Sequence, residues 1–215
     1  MPYRTIGSWE RSSEESFLDK VRGIFSRKAP PKDRIAICIY RLKAQKAKIA
    51  TLVARMEQRD REFFARCVAA QMSKESARAA MYANECAEVR KMARLTLRCE
   101  FALEQTILRL ETVEELGDVA AIMGPATGVI QAIRTQVQGI MPQVSFELGM
   151  ISETLNDVAL EVGEASAPGY DITVSSEQAQ SILTEASAIA EVRMRERFPE
   201  LPTPAVRTPS EKAIS

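Results

Sequence analysis

The chain contains no histidine among its 215 residues, which narrows the chemistry open to it. Histidine is the usual acid–base catalyst near neutral pH and a common metal ligand. There is no G-x-S-x-G nucleophile motif, and the segment GPATG at 124–128 lacks the Lys-Ser/Thr that completes a phosphate-binding loop. We therefore predict a protein that is not an enzyme and that needs no cofactor or metal ion.

Glycine and proline are absent from residues 32–116. A β-protein of that length needs several turns, and turns are rich in these two residues. No apolar run approaches the roughly 20 residues that cross a bilayer. The N-terminus lacks the apolar region of a secretory signal. These absences predict an all-α protein of the cytoplasm.

The cysteines are few and scattered, and none forms a C-x-x-C pair. They are Cys38, Cys67, Cys86 and Cys99. Metal sites need clustered ligands, so we interpret these residues as small buried hydrophobes. A disulfide across two helices is the alternative, chiefly in a protein from a hyperthermophile.

An apolar heptad repeat runs from residue 33 to residue 71. Nine of its eleven core positions are apolar, and the two exceptions are Lys46 and Asp60. The eleven positions are Ile35, Ile39, Leu42, Lys46, Ile49, Val53, Met56, Asp60, Phe63, Cys67 and Ala70. A seam of this length predicts a helix that packs along another helix.

A second helix is predicted from residue 74 to about residue 115, with Ser73 as its N-cap. The connection near residues 71–73 is short, which favours two antiparallel neighbours, that is, a helical hairpin. One continuous helix through residue 115 is the alternative, and both forms are compatible with the sequence.

Glycine and proline return after Leu116, and the helices become shorter. Pro142 suits the first turn of one of them, and Ser175 with Gln178 forms a capping-box pattern at the start of another. The expected helices span about 118–138, 142–162 and 176–197. We predict four segments: an N-terminal arm at 1–31, a helical core at 32–162, a linker with an acidic helix at 163–198, and a proline-rich tail at 199–215.

The N-terminal arm carries an amphipathic pattern at residues 13–28. Its apolar face consists of Phe17, Leu18, Val21, Ile24 and Phe25, and Trp9 precedes it. One interpretation is a membrane-interface helix that inserts these side chains. The other is a helix that folds onto the hairpin and completes its core.

Charge is divided unequally along the chain. Residues 1–111 contain 23 basic and 14 acidic side chains, a net charge of +9, whereas residues 112–215 contain 6 and 15, a net charge of −9. Two halves of opposite charge indicate either an intramolecular clamp, in which the halves bind each other, or a basic surface for a polyanion.

Six cations form what we call the basic row of the first helix: Arg34, Arg41, Lys48, Arg55, Arg59 and Arg66. Their spacing places them along one flank, next to the apolar seam. They either pair with acids of a partner helix or form a linear surface for the phosphates of anionic lipid or nucleic acid. Nucleic acid is not expected, because no aromatic residues are interleaved for base stacking.

Several segments in this order resemble the ESCRT-III family, most closely its short archaeal cell-division members. The likeness covers about residues 30–200 and is carried by AAMYANECAEVRKM (79–92), MPQVSFELGMISETLNDV (141–158) and FPELPTP (198–204). The last segment resembles the family's MIT-interacting motif. The resemblance implies that the contacts in that motif are Pro199, Leu201, Pro202 and Pro204.

The resemblance implies a mechanism. The hairpin polymerises, with itself and with paralogous subunits, into filaments on the cytoplasmic face of an anionic membrane at the division site. The acidic C-terminal half holds the monomer closed, and an AAA ATPase with an MIT domain engages the tail. Longer archaeal members carry a C-terminal winged-helix-like segment, whereas residues 207–215 follow the motif here, so we expect recruitment by another route. A soluble coiled-coil scaffold without membrane activity is the alternative function.

Overall fold

The computed structural model of the protein describes residues 30–116, 119–165 and 172–198. These residues form five α-helices and no strand, so the all-α prediction is confirmed. The helices are α1 (Pro31–Met72), α2 (Ser76–Leu116), α3 (Val119–Val137), α4 (Pro142–Ala165) and α5 (Ile172–Arg197).

The chain divides into two compact units. The first comprises the chain up to Ala47 together with Ala102–Glu185, and the second comprises Lys48–Phe101 together with the chain from Ala186. The first unit therefore holds α3 and α4, and the second holds the turn between α1 and α2.

A tight turn joins α1 to α2 in the second unit. Lys74 adopts a left-handed conformation with φ of 59°. Its N–H donates to the carbonyl of Gln71 at 3.0 Å, and the N–H of Glu75 donates to the carbonyl of Ala70 at 2.9 Å. This pair of bonds is a Schellman motif, which satisfies the last carbonyls of α1 and reverses the chain. The hairpin, rather than one continuous helix, is the form present.

The predicted N-cap of α2 at Ser73 is wrong, and the predicted start at residue 74 is two residues too early. Residues 73–75 are used by the Schellman turn, and α2 begins at Ser76. The predicted start of the last helix is also wrong. The structure has α5 begin at Ile172, so Ser175 and Gln178 lie inside the helix and not at its cap.

The heptad seam of α1 is confirmed by burial. Eight of its apolar residues are buried: Ile35, Ile39, Leu42, Ile49, Val53, Met56, Cys67 and Ala70. Both polar exceptions meet an oppositely charged residue of α2. In the second unit, Asp60 accepts hydrogen bonds from Arg90 at 2.6 and 3.0 Å. In the first unit, Lys46 pairs with Glu104 at 3.2 Å.

Close packing joins α3 to α4 in the first unit. The amide of Gln131 donates to the hydroxyl of Ser152 at 2.8 Å. A Cβ at Gly149 would lie 3.0 Å from the guanidinium carbon of Arg134, so α4 approaches the end of this side chain of α3 closely. These contacts fix which face of α4 is turned inward and which acids lie on its flank.

All four cysteines are buried and none forms a disulfide, in agreement with their interpretation as small hydrophobes. Burial raises the pKa of the Cys38 thiol from 9.0 to about 11, although nearby Arg41 and Arg34 oppose the shift. Burial likewise raises the pKa of the Cys99 thiol to about 11. The apolar surroundings disfavour the charged thiolate, so both thiols stay protonated near neutral pH.

This burial predicts that stability falls at alkaline pH. Unfolded thiols lose their protons near pH 9.0, whereas the native thiols of Cys38 and Cys99 keep them to about pH 11. Above pH 9.0 the unfolded state therefore binds fewer protons, and each thiol is expected to cost about 2 kcal/mol of unfolding free energy by pH 11. Denaturant unfolding of wild type and Cys38→Ala at both pH values measures the effect. An identical pH slope in the two proteins would contradict it.

Candidate functional site

The first unit contains the beginning of the basic row, and there the cations are paired. Arg34 is only 6% exposed. Its guanidinium contacts Glu161 at 2.8 Å, Asp157 at 4.0 Å and the carbonyl of Thr154 at 3.5 Å. A buried charge is tolerated only when its partners satisfy it, so Arg34 depends on these groups of α4.

Arg41 makes the second contact of this kind. Its guanidinium lies 2.6 Å from the carboxylate of Glu147, also on α4, and the pair is partly buried. From Arg34 to Arg41 the partners move backward along α4, from Glu161 to Glu147, so α1 and α4 are antiparallel here. Two cations predicted to bind lipid thus have acidic partners within the chain.

The other cations of the basic row lie in the second unit, and they are exposed. They are Lys48, Arg55, Arg59 and Arg66. Their offsets of 7, 11 and 18 residues return to nearly the same direction on a helix, so they form a line on α1. The guanidinium of Arg59 lies 5.5 Å from the centre of the Phe63 ring, a contact that leaves its charge accessible. This line is an accessible cationic surface of α1.

The end of α5 packs on α1 and α2 within the second unit. Ala190 and Met194 of α5 are buried there, as is Phe198 directly after the helix. Their apolar neighbours are Val53, Met56, Val89, Ala93 and Leu97. The Phe198 ring also lies 6.0 Å from the Arg90 guanidinium. We call this group the closing contact.

Two ion pairs border the closing contact. Glu191 pairs with Arg94 at 2.8 Å, and Arg197 pairs with Glu57 at 2.9 Å. In the first unit, Glu185 accepts a hydrogen bond from Gln105 at 3.2 Å. Glu185 and Glu191 of α5 therefore both have partners on α2.

The acids of α4 were missed as partners of α1. A signal for them was present, because Glu147, Asp157 and Glu161 border the apolar positions that α4 buries. Those positions are Val144, Leu148, Ile151, Leu155 and Val158. Charged residues that flank a buried face are well placed to reach a neighbouring helix.

No family model matches the chain, and no solved structure matches it. Cell division protein B1 of Sulfolobus acidocaldarius is 44% identical over 179 residues, which is 83% of this chain and 84% of that protein. Cell division protein B of the same organism is 34% identical over 200 residues, which is 91% of this chain and 77% of that protein.

This chain belongs to the ESCRT-III family, in its cell division protein B branch. The family recognised from the three sequence segments is therefore confirmed. The match spans most of both proteins, so it is not confined to the segments that suggested it.

Some predicted site residues of this ESCRT-III chain lie outside the described residues. They are Trp9, Phe17, Leu18, Val21, Ile24, Phe25, Pro199, Leu201, Pro202 and Pro204. Phe198, the first residue of the FPELPTP segment, is described and is buried in the closing contact. Within the described ranges, no helix has a stretch long and apolar enough to cross a membrane. No group of acids and cysteines in the same ranges is arranged to hold a metal ion.

Proposed function

We propose that this ESCRT-III chain is a filament-forming subunit that remodels and severs membranes in archaeal cell division. The names of its two relatives support the cell-division role. The chain would act at the division site, on the cytoplasmic face of the membrane, together with paralogous subunits. It works through reversible contacts and not as an enzyme.

The observation that carries the proposal is the exposed line of Lys48, Arg55, Arg59 and Arg66 on α1. A cation near an anionic membrane contributes on the order of 1 kcal/mol. Four aligned cations suffice for reversible peripheral binding, and the apolar arm would add insertion. Arg34 and Arg41 join this surface only after the acids of α4 have left them.

Assembly is proposed to be controlled by closure. The closing contact occupies the apolar groove of α1 and α2, and the acids of α4 neutralise the start of the basic row. Release of these contacts would expose surfaces for filament formation. An AAA ATPase with an MIT domain would then engage Pro199, Leu201, Pro202 and Pro204 to remodel the polymer.

Replacement of the four exposed cations by glutamate is expected to abolish binding to vesicles that contain phosphatidylserine. Loss of four attractions of about 1 kcal/mol each corresponds to a fall of roughly a thousandfold in affinity. Vesicle co-sedimentation at low salt measures the effect, and circular dichroism checks that the helices are retained.

A matched variant changes four other exposed cations of the same unit, Arg61, Lys74, Arg78 and Lys91, to glutamate. It has the same net charge but leaves the line intact, so it should keep most of the binding. Equal loss in both variants would indicate net charge alone. Absence of binding by the wild type would favour a soluble scaffold, the alternative function.

A further inference from the structure

Helix α5 is shared between the two compact units. Its first half, up to Glu185, belongs to the first unit, and its second half, from Ala186, belongs to the second. The second half ends in the closing contact. The first half has contacts of its own with α3 and α2, and these contacts decide whether α5 can be released in one step.

The first half of α5 lies very close to α3. A Cβ added to Gly128 of α3 would be 3.2 Å from the Cβ of Ala179 of α5, which is tighter than ordinary van der Waals contact. Helices reach this separation only where the side chains at the contact are small. A larger side chain at Gly128 would therefore push α5 away from α3.

Two more residues secure the first half of α5. Ile182 is fully buried in the first unit. The carboxylate of Glu185 accepts a hydrogen bond from the amide of Gln105 at 3.2 Å. We call Ala179, Ile182 and Glu185 the anchoring contact. Removal of the Ile182 side chain from water stabilises this contact, and Ile182 is not among the residues of the closing contact.

The closing contact holds a different part of the helix. Ala190, its first residue, lies about 12 Å beyond Ile182 along the helix axis. Met194 and Phe198 are buried there, and two ion pairs lie at the border. Each contact therefore has its own source of stability, one in each unit.

Helical order alone does not couple the two contacts. From Ala186 onward α5 has about three more turns, and a helix of that length is marginal in water without packing. When the closing contact opens, these turns lose the burial that stabilises them, so they unwind or swing free. The anchoring contact keeps its own burial and hydrogen bond, so the first half of α5 stays on α3.

We propose that α5 is released in two steps, through an intermediate in which the closing contact is open and the anchoring contact is kept. In this intermediate the groove of α1 and α2 is free, while Ala179 still packs on Gly128. A partner that binds the proline-rich tail acts next to Phe198, so it opens the closing contact first. That order rests on the function proposed above, whereas the two separate contacts do not.

Thiol labelling of the full chain, without vesicles, tests the two contacts separately. Ile182→Cys places a probe in the anchoring contact, and Ala190→Cys places one in the closing contact. Peptide mass distinguishes their maleimide labels from those of the native cysteines, which are buried. Addition of Met194→Asp should raise the labelling rate of Ala190→Cys at least about tenfold, and that of Ile182→Cys less than about twofold.

The reverse pattern is expected when α3 is changed. Gly128→Leu should raise the labelling rate of Ile182→Cys at least about tenfold, and that of Ala190→Cys less than about twofold. Gly139→Leu is the matched control, since a Cβ at Gly139 has no atom within 4 Å, and it should change neither rate. Gly128→Ala adds only the Cβ and should give the same pattern as Gly128→Leu with a smaller increase, so the test does not depend on how well leucine is accommodated.

Three results would overturn the two-step release. Equal increases at both probes in either variant would mean that α5 leaves as one unit. An unchanged rate for Ile182→Cys in both Gly128 variants would mean that α3 does not hold α5. An unchanged rate for Ala190→Cys in Met194→Asp would mean that the second half has no separate release.

Hydrogen exchange of chains without added cysteines is a second measurement. Met194→Asp should speed the exchange of amides at residues 188–197 at least about tenfold, while those at 177–185 exchange as in the wild type. The expected pattern without vesicle binding or filaments would contradict only the proposed function. Filaments formed by chains in which α5 leaves as one unit would contradict only the two-step release.

Discussion

Replacement of Asp60 by alanine is expected to lower the free energy of unfolding by about 3–5 kcal/mol. The Asp60 side chain is 1% exposed and accepts two hydrogen bonds from Arg90, which is itself 14% exposed. Alanine would leave the guanidinium of Arg90 largely buried without a counter-charge, and desolvation of that charge accounts for the loss. Denaturant unfolding followed by circular dichroism measures it.

Two controls show whether the loss of stability comes from the unpaired charge of Arg90. Arg78→Ala removes an exposed ion pair with Glu75 and should change stability by less than about 1 kcal/mol. The double variant Asp60→Leu/Arg90→Leu removes both charges and should recover much of the lost stability. The two leucine side chains can be buried without a charged partner. If Asp60→Ala costs no more than Arg78→Ala, the pair contributes little.

The Asp60–Arg90 pair also has a consequence for the specificity of the hairpin. Apolar seams tolerate sliding by a whole turn, because one apolar residue replaces another. A slide in the second unit would separate this buried acid from its base and leave both unpaired. We infer that the pair sets the register of α1 on α2, at some cost in stability compared with an apolar pair.

Much of α1 could be predicted because its order is local and periodic. The seam, its two polar exceptions and its ends within a residue or two follow from spacing alone. The partner of Asp60 could not be predicted, because Arg90 is one of several α2 cations and the register of the hairpin selects it. A short connection near residues 71–73 was predicted, but its left-handed residue was not, since a lysine at 74 has no sequence signal as strong as glycine.

The existence of charge pairs within the candidate site could be predicted from the sequence, but the identity of the paired residues could not. The charge of the two halves indicated internal contacts, and such contacts exist. The sequence alone did not assign a partner to Arg34, which pairs with Glu161, 127 residues away in the chain. Pairing at that separation depends on which helix faces lie together, which the packing of α3 on α4 decides.

Replacement of Met194 by aspartate is expected to open the closing contact and promote filaments. Met194 is buried among apolar residues of the second unit, and a buried carboxylate without a partner costs about 3 kcal/mol or more. A change of that size shifts an open–closed equilibrium by roughly a hundredfold. Sedimentation and negative-stain microscopy with anionic vesicles should show polymers of Met194→Asp at concentrations where the wild type remains monomeric. Deletion of residues 163–215 should act in the same direction.

Val192→Asp is the matched control for this prediction. Val192 lies two residues away on α5 and is exposed, so the same charge is added without being buried. Reversal of the charge of Glu191 should have a smaller effect than Met194→Asp. The ion pair of Glu191 with Arg94 is about half exposed, and such pairs contribute little to stability. If Met194→Asp and Val192→Asp both behave as the wild type, closure by α5 does not limit assembly. The acids of α4 on Arg34 and Arg41 would then be the contacts that hold the chain closed.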